Sequence, residues 1–240
     1  MVYKLTVKQR YCGPSRSGNG GYVCGLVAKG LIETHEVRLM SPPPLDIGLL
    51  LRTEKNAAVL THGDQIVAHT RVCEWDLEPP SIPNFDDAVL AQKSYTGFVE
   101  PDLPLCFVCG PDRKEGDGLR IFAGKLQNGG ECVSAPWHVS ADLPNEDGVI
   151  FEEFIWAALD CPGYFAIQER AGFALLGSFS AKIKRQVRVG EQLIVVGWPV
   201  SAEGRKNIAG TALIDQQGHV VATAKAVWIT VREEAIEQHI

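Results

Sequence analysis

The stretch AVLTHGDQIVAHTRV, residues 58–72, decides the fold, because it has a counterpart late in the chain, ALIDQQGHVVATAKA, residues 212–226. The two align without a gap. Each reads as an apolar strand, a polar turn with one glycine, and a longer strand containing a Val-Ala pair, the composition of a β-hairpin. Working outward, the surroundings match too. Before the first hairpin, strands are predicted at about 48–55 (GLLLRTEK) and 34–40 (THEVRLM). A glycine-opened apolar helix, GNGGYVCGLVAKGL (18–31), and a strand over 2–10 come before those. Before the second hairpin, strands are predicted at about 191–203 and 174–187, then a helix over about 149–169. Two strands, 118–126 and 130–139, joined by the turn QNGG, precede that helix. Each half therefore reads as one or two strands, one helix, then four strands.

The intervening DLEPPSIPNFDDAVLAQKSYTGFVEPDLPL (76–105) is too rich in proline for a sheet interior. It reads as a connector with a short helix at about 86–93. The expected division is an N-terminal half (1–76), a connector (77–105), a C-terminal half (106–231) and a tail (232–240). The tail, REEAIEQHI, is expected as a solvated helix.

One apolar helix beside one antiparallel sheet has a simple packing solution: the sheet curls round the helix and keeps its other face wet. Two such units side by side make a continuous sheet with two central helices. The predicted fold class is α+β, a double hotdog in which each sheet wraps a central helix and the two halves form a pseudo-dimer within one chain.

The chain has 240 residues, 45% of them hydrophobic and 22% charged, an ordinary globular balance with ample core material. The formal net charge of −6 argues against a nucleic-acid surface. The strand-like MVYKLTVKQRY reads as neither signal peptide nor anchor, and no apolar run reaches the ~18 residues of a membrane helix. With seven scattered cysteines, reduced thiols in the cytoplasm are the expectation.

Several motifs resemble one enzyme family. GNGGYVCGLVAKGL followed by VRLMSPPPLD, and the run from IWAALD to VVATAKAVWI, resemble the two halves of double-hotdog acyl-CoA thioesterases of the thioesterase II type. CFVCGPDRKEGDGLR (106–120) is similar to the entry segment of single-hotdog thioesterases. The resemblance implies an acyl-CoA thioester hydrolase with its site between the halves and no cofactor. It also implies an aspartate on the second helix, matched by Asp160. That family supports its aspartate with a hydroxyl residue and a glutamine. Here Leu176 and Ala226 fall at those positions, with Ser178 and Ser180 only near the first.

Thioester hydrolysis needs donors for the oxyanion and a carboxylate to activate water or attack directly. A helix start supplies unpaired amides at a positive dipole end, and glycines there let a thioester come close. Asn19, Gly20 and Gly21 occupy such a start, with Gly148 a weaker candidate at the second helix; the bland alternative is a cap. The carboxylate is sought in FEEFIWAALDCPG (151–163), a helix apolar nearly all round that still carries acids. Glu153, Trp156 and Asp160 share one stripe at spacings of three and four. A carboxylate there has a raised pKa unless it is paired, for example with Lys182, Lys184 or Arg185. Pro162 breaks the helix hydrogen bonding, either shaping a pocket beside Asp160 or ending the helix. Lys182 and Lys184, or Arg205 and Lys206, are candidate contacts for coenzyme A phosphates, with a solvated surface as the alternative. Trp137, Trp156, Trp198 and Trp228 are core or tunnel wall.

Other chemistries find less support. Cys106-x-x-Cys109 lacks a second CxxC, and Cys132, Cys161 and His138 could complete a metal site only if folding brought them close. No metal is expected, and a turn with two small apolar thiols is the preferred reading. There is no HExxH, no GxSxG and no GxGxxG. The Asp and His five residues apart that hotdog hydratases use are missing near Asp147 and Asp160, which counts against an enoyl-thioester hydratase or dehydratase. The alternative from another class is a non-catalytic acyl-CoA-binding or scaffolding module. A homo-oligomer is compatible with the sequence, and no nucleic-acid or membrane partner is expected.

Overall fold

The computed structural model describes residues 1–238, with side chains described through residue 236. The first half contributes β1 (Val2–Leu5), α1 (Gly20–Ala28), β2 (His35–Leu39), β3 (Leu49–Glu54), β4 (Ala57–His62) and β5 (Gln65–Val72). A linking segment holds α2 (Phe85–Gln92), started by a capping box in which Asn84 and Asp87 satisfy each other's amides. The second half contributes β6 (Gly124–Lys125), β7 (Val133–His138), a small hairpin of β8 (Asn145–Glu146) and β9 (Val149–Ile150), α3 (Glu152–Ala158) and α4 (Cys161–Ala171). It ends with β10 (Ala174–Ile183), β11 (Gln192–Glu203), β12 (Lys206–Ile214) and β13 (Val220–Thr230).

Eleven strands form one antiparallel sheet in the order β1-β3-β4-β5-β2-β10-β13-β12-β11-β7-β6. Outward from the β2–β10 seam the order is equivalent in both directions, β2-β5-β4-β3-β1 against β10-β13-β12-β11-β7. The two aligned hairpins, 58–72 and 212–226, lie at corresponding places. At the seam Ser178 pairs with Arg38 and Phe179 with Val37. The architecture is thus mixed, a large antiparallel sheet with few helices.

One core runs through both halves. Val23, Val27 and Val37 from the first are buried with Phe154, Ile155, Phe179 and Leu193 from the second, and Phe107, Val108 and Ile121 belong to the same cluster. Each such side chain, fully buried, contributes about 1.5–3 kcal/mol. The segment 76–105 is more than a connector. Ala88 and Ala91 of α2 cover the back of β7 and β11, in one buried cluster with Ile194, Val196, Trp198 and Ala212. This explains the unbroken apolar run of β11, which is buried on both faces where an alternating strand would show one face to water.

Three local expectations are corrected and one is refined. The predicted N-terminal strand stops at Leu5, and a 3-10 turn follows at Gln9–Tyr11. The predicted strand 118–126 shrinks to Gly124–Lys125, because Ile121 and Phe122 turn into the core. The single helix over 149–169 is two helices, separated at Leu159 and Asp160. The tail forms a short 3-10 helix over Glu233–Gln238, while His239 and Ile240 lie outside the described residues.

Candidate functional site

The start of α1 and the break between α3 and α4 meet at one point. Asn19 caps α1, its side-chain oxygen accepting from the Tyr22 amide at 2.9 Å. Its other side-chain atom, Nδ2, donates to Asp160 Oδ2 at 2.9 Å, and the Gly21 amide donates to the same oxygen at 2.9 Å. This closeness needs glycine. A Cβ on Gly21 would stand 2.6 Å from the Asp160 Cβ, and one on Gly25, a turn later, 2.7 Å from the Glu153 Cα. The two glycines let α1 and α3 pack backbone to backbone.

Asp160 owes its position to the helix break. It is the N-cap residue of α4, with Pro162 in the first turn, where proline is tolerated because that amide has no helical acceptor. The Leu159 carbonyl freed by the break accepts from Thr211 Oγ1 at 2.8 Å. Asp160 does not cap its own helix; its carboxylate turns to α1 instead. It is 2% exposed, and Oδ1 has no hydrogen-bond partner among the described residues. Burial raises its pKa to about 7, the Gly21 amide and Asn19 pulling it down and the Cys106 sulfur adding to the rise.

Asp160 lines a cavity of about 570 Å³ between the α1 start and the second half. Leu39, Pro43, Leu103, Phe165 and Leu176 supply apolar wall. Two donors without acceptors among the described residues belong to residues of the same lining: the Gly20 amide, at the first position of α1, and the Trp228 indole Nε1. Asp102, Tyr164 and Gln168 form a separate polar group, the Tyr164 hydroxyl donating to Asp102 Oδ2 at 2.7 Å and Gln168 Nε2 at 2.9 Å. The exposed Arg205 and Arg232 also line the cavity, and neither has a carboxylate partner among the described residues.

The sequence-predicted residues divide sharply. Asn19, Gly20, Asp160 and Arg205 line the cavity, while Gly21 lies outside the lining and reaches the site only through Asp160. The Gly21 amide, however, is engaged by Asp160, so it is not a free oxyanion donor. Glu153 lies outside the lining, buried against α1, with Lys29 Nζ 3.5 Å from Oε2; Lys182, Lys184 and Arg185 are not its partners. Trp156 is core, packed edge-on against Phe179. Gly148 opens no helix. It sits with φ +80° in the β8–β9 turn, its amide donating to Asn145. Ser178 and Ser180 miss the cavity because the β10 register shifts between Leu176 and Ser178, so Leu176 faces α1 while the serines do not. Lys182 donates to the Trp75 carbonyl and lies 4.8 Å over that ring, in a separate depression. Lys184 and Lys206 are exposed and away from the lining.

Sequence reasoning missed Trp228 as a wall residue distinct from the other tryptophans, and missed Arg232, Asp102, Tyr164 and Gln168. One signal was available. Asp160, Tyr164 and Gln168 are spaced by four, the stripe of a helix that restarts at the proline and does not run through it. The cavity also receives Cys106, Cys109 and Cys161. Hydrogen bonds from Cys109 and Cys161 hold the Cys106 thiol well below its usual pKa.

No protein-family profile matches the chain, and no curated protein matches it in sequence. Solved structures do match. A protein from Novosphingobium aromaticivorans named as a putative thioesterase superposes with a TM-score of 0.63 at 15% identity, over 96% of each chain. The tesB protein of Mycobacterium avium subs paratuberculosis gives 0.63 at 11% identity, over 96% of this chain and 93% of that one. A putative thioesterase II from Thermobifida fusca gives 0.61 at 13% identity, over 96% and 92%. At these identities the likeness is one of fold: over nearly its whole length the chain is similar to solved structures that include proteins named as putative thioesterases.

Proposed function

We propose that the protein is an acyl-CoA thioester hydrolase built as a double hotdog, with halves 1–76 and 106–231 and one working site where they meet. The observation that carries this is Asp160: a buried carboxylate, tethered through one oxygen by α1, whose other oxygen has no partner among the described residues and lies beside a largely apolar cavity. In this reading Asp160 Oδ1 removes a proton from water as the water oxygen attacks the thioester carbon. A base titrating near neutrality suits that step. The carbonyl oxygen becomes an oxyanion, met by the Gly20 amide and the Trp228 indole N–H. The carbon–sulfur bond then breaks, and the departing thiolate takes the proton from Asp160, regenerating the carboxylate. Asn19 and the Gly21 amide hold the aspartate in place, a task the thioesterase II pattern gives to a hydroxyl residue and a glutamine. The acyl chain lies along the apolar wall, and Arg205 and Arg232 meet the phosphates of coenzyme A at the mouth.

Leu176 and Ala226, apolar where that pattern has polar partners, favour one second reading, acyl-CoA binding without turnover. Release of free thiol from short, medium and aromatic acyl-CoAs separates the two. Hydrolysis that Asp160→Asn lowers by at least ~1,000-fold supports the first. Thermal stabilisation by coenzyme A with no thiol released supports the second.

A further inference from the structure

We infer that Cys106, Cys109 and Cys161 form a binding site for one thiophilic divalent metal ion of the zinc class, with its fourth coordination position turned to the cavity. The three sulfurs all lie within 4.8 Å of one another, and Cys106 Sγ and Cys161 Sγ are 3.7 Å apart. Zinc binds thiolate at about 2.3 Å, so the edge of a tetrahedral zinc–thiolate site is about 3.8 Å. The shortest pair already has that spacing, and the longer separations need contract by no more than about an ångström. A disulfide would need its sulfurs at about 2.05 Å, a much larger movement.

The cluster is assembled by folding. Cys106 and Cys109 lie on one tight turn, closed by the Gly110 amide donating to the Cys106 carbonyl at 2.9 Å. Cys161 arrives from a different element, as the first residue of α4. All three are buried, and among the described residues no other His, Cys, Asp and Glu side chains group in this way. Cys132 belongs to the separate core under α2, and His138 packs against Phe85. Three thiolates leave a tetrahedral ion one ligand short. All three cysteines line the cavity, as does Asp160, the residue before Cys161, so the missing ligand comes from that side. Three-ligand sites of this kind keep a position for water or substrate, whereas purely structural zinc sites close with a fourth side chain. One divalent ion held by three thiolates makes a centre of charge −1. This inference does not depend on hydrolysis.

The test uses the whole protein, reduced and freed of metal by a chelator, with all seven thiols counted after denaturation. Cobalt(II) is the probe. One equivalent is expected to produce a near-ultraviolet thiolate-to-cobalt band with the visible bands of a tetrahedral ion, all lost on adding zinc. The band is lost in Cys106→Ser and Cys161→Ser and kept in Cys132→Ser. Should the first two variants fail to fold, the wild-type protein still decides: zinc protects Cys106, Cys109 and Cys161, and no other cysteine, from alkylation mapped by mass spectrometry. No saturable band from fully reduced protein, or protection at other cysteines, overturns the proposal.

Discussion

Asp160 has a native pKa of about 7, against 3.8 for an ordinary aspartate. Its sign is unusual for an acid that receives two hydrogen bonds: burial outweighs both donors. A carboxyl whose pKa rises on folding takes up a proton when the chain folds, so its favourable contribution is complete below about pH 4. That contribution is lost as pH rises through 7. At about 1.4 kcal/mol per unit, the loss amounts to no more than about 4 kcal/mol. In urea unfolding of reduced, chelator-treated protein, Asp160→Asn should therefore gain stability over wild type between pH 4 and pH 8 and match it most closely at the acid end. A constant difference across that range would refute the burial argument. Asn19 serves two elements at once, capping α1 and donating to Asp160. Asn19→Ala should cost about 1 kcal/mol of stability through the cap and lower kcat about 10–100-fold, the value of a hydrogen bond to a charged group. Chemical denaturation and thiol release read the two effects separately.

Among the elements, the glycine face of α1 sets the geometry. Gly25 lies away from the cavity, yet a Cβ there would meet both the Glu153 Cα and the Trp156 Cβ at 2.9 Å or less. Gly25→Ala should push α1 off α3 and cost about 1–3 kcal/mol, seen as a fall in Tm of about 2–4 °C per kcal/mol for a chain of this size. The second joint is the break between α3 and α4. Pro162 has no amide to offer, and the Leu159 carbonyl depends on Thr211. Thr211→Val keeps the shape of the side chain and removes the donor. It should lose about 1–3 kcal/mol and reduce hydrolysis, because the break positions Asp160. An unchanged Tm in calorimetry would show that the carbonyl has another partner.

For the whole molecule, the arginines at the cavity mouth provide the test of substrate class. Removing Arg205 and Arg232 together should raise KM for acyl-CoA about 10-fold or more, with kcat nearly unchanged, since rim charges act on capture. The effect should shrink at high salt and vanish for a truncated thioester without phosphates, in side-by-side kinetics. What could be read beforehand follows the same change of scale. The hairpins 58–72 and 212–226, the α1 start and the acid on the apolar helix were legible because alternation, helical spacing and glycine chemistry are local properties. The bulge that turns Ser178 and Ser180 from the cavity was not, since a one-residue slip leaves little trace in composition and flips every following side chain. Nor was the true partner of Glu153. By itself, then, the sequence determined the repeated order of strands and helices and the presence of an acid that burial would perturb. Only the tertiary structure decided that Asn19 and Gly21 hold Asp160, and that Cys161 joins Cys106 and Cys109. Those contacts join residues far apart along the chain, and their geometry depends on how closely the glycine face of α1 packs against α3.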